Sequence, residues 1–137
     1  MEICFTPARQ LARLIRARKL SATEVVNAFI AQIERVNPKV NAIVTFTPEL
    51  ALKRAKSVDR GKPFAGLPIA YKDVVPTKGI RTTWGSPIYR DHVPQEDHAI
   101  VERLSAAGVV TLGKTNTQPS HQFKASKSLL KPRQARS

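Results

Sequence analysis

The chain has 137 residues, 42% hydrophobic and 24% charged, which is ordinary for a soluble protein and sufficient for one domain with a modest core. Its one cysteine, Cys4, excludes a disulfide framework within the chain. No apolar run is long enough to cross a bilayer and the N-terminus lacks a signal-peptide pattern, so a cytoplasmic location is expected.

The formal net charge of +13 normally indicates a nucleic acid or an anionic surface as partner. Part of this excess belongs to the C-terminal tail, because no acidic residue occurs after Glu102. Residues 1–116 hold 18 cationic and 10 acidic residues, with no basic stripe interleaved with aromatic residues. Nucleic-acid binding is therefore a minority interpretation that depends on the tail. The tail cations are Lys124, Lys127, Lys131, Arg133 and Arg136.

Two helices that form a hairpin are predicted at the N-terminus. The first covers residues 7–18, whose apolar residues have the spacing of one helix face. The second is expected to start near Ala22, because Ser21 and Glu24 have the spacing of a capping box. Asn37-Pro38 is expected to end it. The apolar face of the first helix consists of Leu11, Leu14 and Ile15.

Strands and helices alternate over the rest of the chain, which predicts an α/β layer with parallel strand pairing. Pro48 suits the first turn of a helix, Asp97 is expected to cap the last helix, and Gly113 is expected to close the last strand. The inner face of that last helix is predicted to be Ile100, Val101 and Leu104. The predicted elements are a strand at 41–46, a helix at 48–58, a strand at 67–72, a helix at 98–107 and a strand at 109–112.

A long connection, residues 74–94, separates the second strand from the last helix. It is dense in glycine and proline, and connections of this length inside a compact domain tend to be functional or disordered. Thr82, Thr83 and Trp84 argue against disorder, and the default for Trp84 and Tyr89 is to pack over the core.

Lys72 is the first candidate for chemistry. It ends a short apolar run with the length of a buried strand, where a buried ammonium would cost several kcal/mol. A lysine held away from solvent can lose its proton and become a base. The alternative is a solvated lysine at the mouth of a loop. Asp73 could orient Lys72 or cap the following turn, and the second interpretation is favoured.

Other candidate sites have weaker patterns. His92, His98 and His121 share no ligand spacing and no cysteine accompanies them, so no metal is expected. Gly113-Lys114-Thr115 resembles part of a phosphate loop but lacks the required upstream glycine. The sequence therefore predicts no cofactor.

Several short motifs occur in a fixed order over residues 9–116, and together they resemble the amidase signature family of hydrolases. Each motif is weak alone, but their order and spacing over this range make the resemblance strong. The motifs are Ile15-Arg16, Leu20-Ser21-Ala22-Thr23-Glu24-Val25, Asn37-Pro38, Asn41-Ala42, Gly66-Leu67-Pro68-Ile69-Ala70-Tyr71-Lys72-Asp73, Thr82-Thr83, Gly85-Ser86, Ala106-Ala107-Gly108 and Leu112-Gly113-Lys114-Thr115-Asn116.

The resemblance implies a mixed sheet wrapped by helices, in a chain far longer than this one. It also implies hydrolysis of carboxylic amides by a lysine, a serine in a cis peptide and a nucleophilic serine. The neutral lysine relays a proton through the middle serine and so activates the nucleophile, as a Ser-Lys form of nucleophile–base chemistry. Lys72 matches the position of this lysine, which favours catalysis over the solvated alternative.

The two serines of the family lie in a segment rich in glycine and serine, and no glycine follows Gly113 here. Ser120, Ser126 and Ser128 lack glycine neighbours and are assigned to neither role. We therefore expect the chain to be truncated before both serines and inactive alone, because removing a nucleophile costs on the order of 10⁶ in rate. A truncated or frame-shifted coding sequence and a split gene remain alternative origins.

The predicted fold is α/β: an N-terminal helical hairpin followed by part of a mixed, largely parallel sheet flanked by helices, incomplete relative to the family. Residues 1–116 form the amidase-type part and 117–137 a basic tail predicted to be disordered. Expected partners are a small-molecule amide and either a second copy or a second chain that supplies the missing segment, with no membrane partner. The alternatives are a nucleic-acid-binding module, one component of a tRNA-dependent amidotransferase, or an unstable fragment with an open sheet edge.

Overall fold

A computed structural model describes residues 2–118, which form an α/β fold, as predicted. Two helices come first, and strands and helices then alternate, with short 3-10 turns at Ile3–Phe5 and Pro87–Tyr89. The helices are α1 (Ala8–Arg16), α2 (Ala22–Val40), α3 (Pro48–Lys56) and α4 (Ala99–Ala106). The strands are β1 (Ile43–Phe46), β2 (Pro68–Lys72) and β3 (Val110–Thr115). The predicted tail lies outside the described residues from position 119 onward.

The three strands form one mixed sheet in the order β1-β3-β2. The central strand β3 pairs in parallel with β2 and antiparallel with β1. The parallel pairing is the one predicted from the alternation of strands and helices, and it aligns Tyr71 with Lys114 and Lys72 with Thr115. Lys72 and Lys114 therefore stand at the carboxyl ends of neighbouring strands.

The helix α2 begins as predicted and ends later than predicted. The Ser21 hydroxyl accepts from the Glu24 amide at 3.1 Å while the Glu24 carboxylate accepts from the Ser21 amide at 2.7 Å, so the capping box is confirmed. The prediction that Asn37-Pro38 stops the helix is wrong, because Pro38 lies inside its last turn. That turn is held by the Asn37 side chain, which bonds both backbone groups of Ile43, and the helix ends where Asn41 turns left-handed.

Apolar packing joins the helices to the sheet in two clusters. In the larger cluster α2 and α3 cover β3, and burying each large apolar side chain contributes roughly 1.5–3 kcal/mol. In the smaller cluster α1 packs against α2 through three fully buried side chains. The first cluster comprises Ala22, Val26, Ile30, Ala51, Ala55, Val110 and Leu112. The second comprises Leu11, Ile15 and Val25.

The start of α4 differs from the prediction. The N-cap is His98, whose Nδ1 accepts from the Ile100 amide at 3.2 Å. Asp97 instead accepts from the amide of Lys78 at 2.7 Å, which ties the helix to the long connection. Val101 is buried, but Ile100 is 49% exposed, so its assignment to the inner face is wrong.

The strand β3 continues through Gly113, where the sequence predicted its end. A Cβ at this position would lie 2.0 Å from the carbonyl oxygen of Thr45, and the residue has φ +150°. Only glycine permits this approach of the β1 backbone. Gly113 therefore allows the strand to continue to Lys114 and Thr115.

Candidate active site

The candidate site is the edge of the sheet where the parallel strands β2 and β3 both end. Lys72 is the last residue of β2, and its register partner Thr115 is the last residue of β3. Ligands of open α/β sheets bind outside the carboxyl ends of the strands. This edge is therefore where the fold favours a reaction.

Lys72 is exposed at this edge. Within the described residues its amine is not held away from solvent, and the catalytic role of Lys72 stays a prediction. Within residues 2–118, its side chain forms no hydrogen bond or salt bridge, so no serine of this part of the chain is bonded to it. The solvated alternative describes the side chain as it stands in this part of the chain.

Asp73 does not orient Lys72. Its carboxylate is buried, with 3% of the residue exposed. One oxygen accepts from the Thr83 amide at 3.0 Å, and the other accepts from the Thr83 hydroxyl. The backbone adds two bonds, from the Asp73 amide to the Thr115 carbonyl and from the Trp84 amide to the Asp73 carbonyl. Asp73 therefore anchors the long connection to the end of β2, in agreement with the favoured capping role.

A second lysine at this edge, Lys114, is fully buried with 0% of its surface exposed. Its amine donates to the carbonyl of Val75, to the Thr77 hydroxyl at 2.9 Å and to the Thr82 hydroxyl at 3.0 Å. An ammonium has three hydrogens and no lone pair. The three oxygens therefore match its donors one for one.

The threonine hydroxyls are arranged to accept from Lys114. The Thr77 hydroxyl donates to the Val75 carbonyl at 3.1 Å, and the Thr82 hydroxyl donates to the Ile80 carbonyl at 3.0 Å. Each hydroxyl has one hydrogen, so only its lone pairs remain for the amine. A neutral amine has only two hydrogens for these three oxygens and would donate one hydrogen bond fewer.

Burial works against the charge of this amine. It lowers the pKa of Lys114 to about 8 from its ordinary 10.5, while the nearby carboxylates of Asp73 and Asp97 oppose that decrease. At neutral pH the amine is therefore still an ammonium, although it loses its proton more easily than an exposed lysine.

Sequence reasoning did not identify Lys114 as a buried cation, because neither the comparison of Gly113-Lys114-Thr115 with a phosphate loop nor the family motif Leu112–Asn116 gives this lysine an environment. A usable signal was present. A strand that continues past Gly113 brings Lys114 beside the apolar core, and the connection offers two threonines in its turns. A buried lysine without a carboxylate partner requires such oxygens.

Three aromatic rings order the middle of the long connection. Trp84 lies with its ring centroid 5.1 Å from Tyr89 and 5.4 Å from His92. Tyr89 and His92 are 5.8 Å apart, and the His92 carbonyl accepts from the Thr82 amide. These residues pack on one another, and His92 belongs to this cluster in the described structure.

Within residues 2–118, no three histidine, cysteine, aspartate or glutamate side chains are grouped in a way that could hold a metal ion. Across the same residues, no helix has both the length and the apolar character needed to span a membrane. The tail cations on which nucleic-acid binding depends lie outside the described residues.

This fold is shared with solved enzymes that act on amides. Residues 24–131 match the sequence profile of the family described as Amidase. The chain belongs to the amidase family, which confirms the resemblance found in the sequence. The matched region continues past residue 116, where the individual motifs end.

The curated relatives include the A subunit of the glutamyl-tRNA(Gln) amidotransferase of Carboxydothermus hydrogenoformans, 45% identical over 123 residues. That match covers 85% of this chain and 25% of the relative. The chain therefore spans about a quarter of the length of the curated relatives that it matches.

Solved structures of amide hydrolases are similar to this chain as well. The 6-aminohexanoate cyclic dimer hydrolase in complex with substrate has a TM-score of 0.78 and 33% identity, over 85% of this chain and 24% of the hydrolase. Fatty acid amide hydrolase has a TM-score of 0.79 and 26% identity, over 85% of this chain and 22% of that protein.

Proposed function

We propose that this chain supplies the lysine base, Lys72, of a site that cleaves carboxylic amides. The observation that carries the proposal is the position of Lys72. It lies in the motif from Gly66 to Asp73 and is unpaired, among the described residues, at the edge shared by two parallel strands. The amidase relatives and the hydrolase structures support an amide as the substrate class.

In the proposed mechanism, the neutral Lys72 amine accepts a proton from a middle serine as that serine takes the proton of a nucleophilic serine. The nucleophile then attacks the amide carbonyl, and the proton returns to the leaving nitrogen. Both serines come from polypeptide outside residues 2–118. That polypeptide would also cover Lys72, and removal of water favours the neutral form that a base requires.

The proposal implies that the 137-residue chain does not hydrolyse amides by itself. Its amine is exposed and, within the described residues, faces no serine hydroxyl. Turnover by the purified chain that disappears in Lys72→Ala would contradict this part of the proposal.

A graft tests the role of Lys72 directly. Residues 2–116 replace the matching segment of 6-aminohexanoate cyclic dimer hydrolase, and hydrolysis of the cyclic dimer is measured. We expect Lys72→Met to lower kcat by at least about 10³, in the range of losses for an essential proton-transfer group. The matched control is Lys78→Met, an exposed lysine of the neighbouring connection, which should retain full activity. Activity within tenfold of the unmodified graft in Lys72→Met would overturn the proposal.

A second candidate is amide transfer, with this chain as part of an amidotransferase. It is favoured by the 45% identity to the Carboxydothermus hydrogenoformans protein, which exceeds the 33% identity to the dimer hydrolase. The same graft into that amidotransferase protein, assayed in its complete enzyme for amidation of glutamyl-tRNA(Gln), tests it. Full activity in the amidotransferase graft with none in the hydrolase graft would favour transfer.

A further inference from the structure

Lys114 is a buried ammonium that the proposed chemistry does not use. Buried charges are normally paired or bound by several polar groups, because water otherwise solvates them far better. Here the binding groups are a backbone carbonyl and two threonine hydroxyls, all from the connection that follows β2. The lysine therefore joins the end of β3 to residues 75–82.

Two consecutive hydrogen bonds lead from this amine to Lys72. The Lys114 amine donates to the carbonyl of Val75, and the amide of Val75 donates to the carbonyl of Lys72 at 2.9 Å. The turn that ends β2 is thus held from the neighbouring strand. The next residue, Asp73, is held separately: its carboxylate accepts from the Thr83 amide and its own amide donates to the Thr115 carbonyl.

We propose that Lys114 is a positioning residue: its amine fixes the turn from Lys72 to Val75 and thereby the place of Lys72 at the carboxyl edge of the sheet. The catalytic consequence rests on the proposed function of Lys72, but the holding of the turn does not. Val75 is the reporter, because its amide bonds Lys72 and its carbonyl bonds Lys114.

Hydrogen exchange in the 137-residue chain tests the holding of the turn. We expect Lys114→Met to speed exchange of the Val75 amide about tenfold beyond any change at the Ile30 amide of α2, which reports overall stability. Lys78→Met, in the same connection, should change neither amide. Equal acceleration at Val75 and Ile30 would overturn the proposal, since Lys114 would then act on overall stability alone.

A milder variant and a rescue cover the case in which Lys114→Met does not fold. Thr77→Val removes one of the three acceptors at similar volume, and about threefold faster exchange at Val75 is expected, with no change at Ile30.

In a Cys4→Ser background, Lys114→Cys alkylated to aminoethylcysteine restores an ammonium at nearly the same length. Val75 exchange should return to within twofold of the original value, and failure to return would contradict the proposal.

The hydrolase graft separates this proposal from the proposed function. Lys114→Met should lower kcat about tenfold with little change in KM, and aminoethylcysteine at position 114 should restore it. Retained activity in Lys72→Met would reject the catalytic role of Lys72, whereas the exchange result at Val75 would still decide the role of Lys114. Unchanged kcat in Lys114→Met would overturn positioning while leaving the role of Lys72 intact.

Discussion

The helical layer and the long connection of this chain are held by different forces. The helices α2 and α3 cover β3 through an apolar cluster, whereas the connection from Asp73 to Asp97 is held by buried polar groups. Asp73, Thr77, Thr82, Thr83 and Lys114 are each at most 3% exposed. Apolar burial is nondirectional and tolerates adjustment, but buried polar groups lose most of their stabilisation when one partner is missing. The comparison predicts different responses to substitution in the two regions.

The largest effect is expected in the apolar region. Leu112→Ala should lower the free energy of unfolding by about 4 kcal/mol, because a buried leucine leaves both lost transfer energy and a cavity. Urea unfolding measures this loss, and hydrogen exchange at the Val75 amide should speed up only as much as at the Ile30 amide, which reports overall stability. A loss below about 1 kcal/mol would show that the cluster around β3 relaxes to fill the space.

The second effect is a pH dependence from Lys114. Its pKa is about 8 when folded and ordinarily 10.5, so the unfolded chain keeps the proton over this interval and the unfolding free energy should rise with pH. Below pH 8 the folded state carries the full free-energy cost of the buried charge. By pH 10 the folded amine has lost its proton, and the free energy of unfolding should be higher by ~2.5 kcal/mol, at ~1.4 kcal/mol for each pKa unit.

Other groups oppose this rise, so the measurement is a difference. Burial raises the pKa of the Cys4 thiol and that of the Tyr71 phenol, and both lower stability as they ionise in the unfolded chain. Subtracting the pH profile of Lys114→Met isolates the lysine, while Thr77→Val should keep the rise. A direct NMR titration of the Lys114 amine that gives an ordinary value would refute the prediction.

A third effect concerns the anchor of the connection. Asp73→Asn keeps the shape but replaces an oxygen that accepts from Thr83 with an amide donor, so about 2 kcal/mol should be lost. Asp59→Asn on the exposed surface is the control and should change the unfolding free energy by less than about 0.5 kcal/mol. Equal values for the two variants would mean that the buried network contributes no more than a surface contact.

The smallest effect tests a polar contact inside the helical region. Ser21→Ala removes the cap of α2 and should cost about 1 kcal/mol, because solvent partly replaces the lost bond. Thermal unfolding measures it, with Ser57→Ala, a surface serine after α3, as comparison. A loss as large as that of Asp73→Asn would erase the distinction between exposed and buried polar groups.

Sequence reasoning correctly predicted the features that depend on local sequence patterns. The apolar period of α2, the capping box at Ser21 and the parallel pairing of β2 with β3 follow from local patterns. The predictions that are wrong concern helix ends, which depend on contacts with residues outside the helix. Pro38 is helical, and the neighbouring Asn37 side chain bonds the next strand. Asp97 accepts from the Lys78 amide and does not cap α4.

The candidate site was predictable only in part. The motif that contains Lys72 locates the edge of the sheet, but the solvent exposure of Lys72 depends on what covers that edge, which local spacing does not encode. Lys114 was missed for a similar reason. Its three oxygens come from residues 32 to 39 positions earlier in the chain, and no periodicity links them.

The glycines of the chain differ sharply in how replaceable they are. At Gly113 a methyl group would meet the Thr45 carbonyl at 2.0 Å, whereas nothing lies within 4 Å of the same atom at Gly79. Both have positive φ, but only the φ of +74° at Gly79 lies near the left-handed region that asparagine adopts more readily than most residues, whereas Gly113 has φ +150°. Under random mutagenesis with selection for folding, position 79 should accept asparagine, while position 113 should return glycine codons alone.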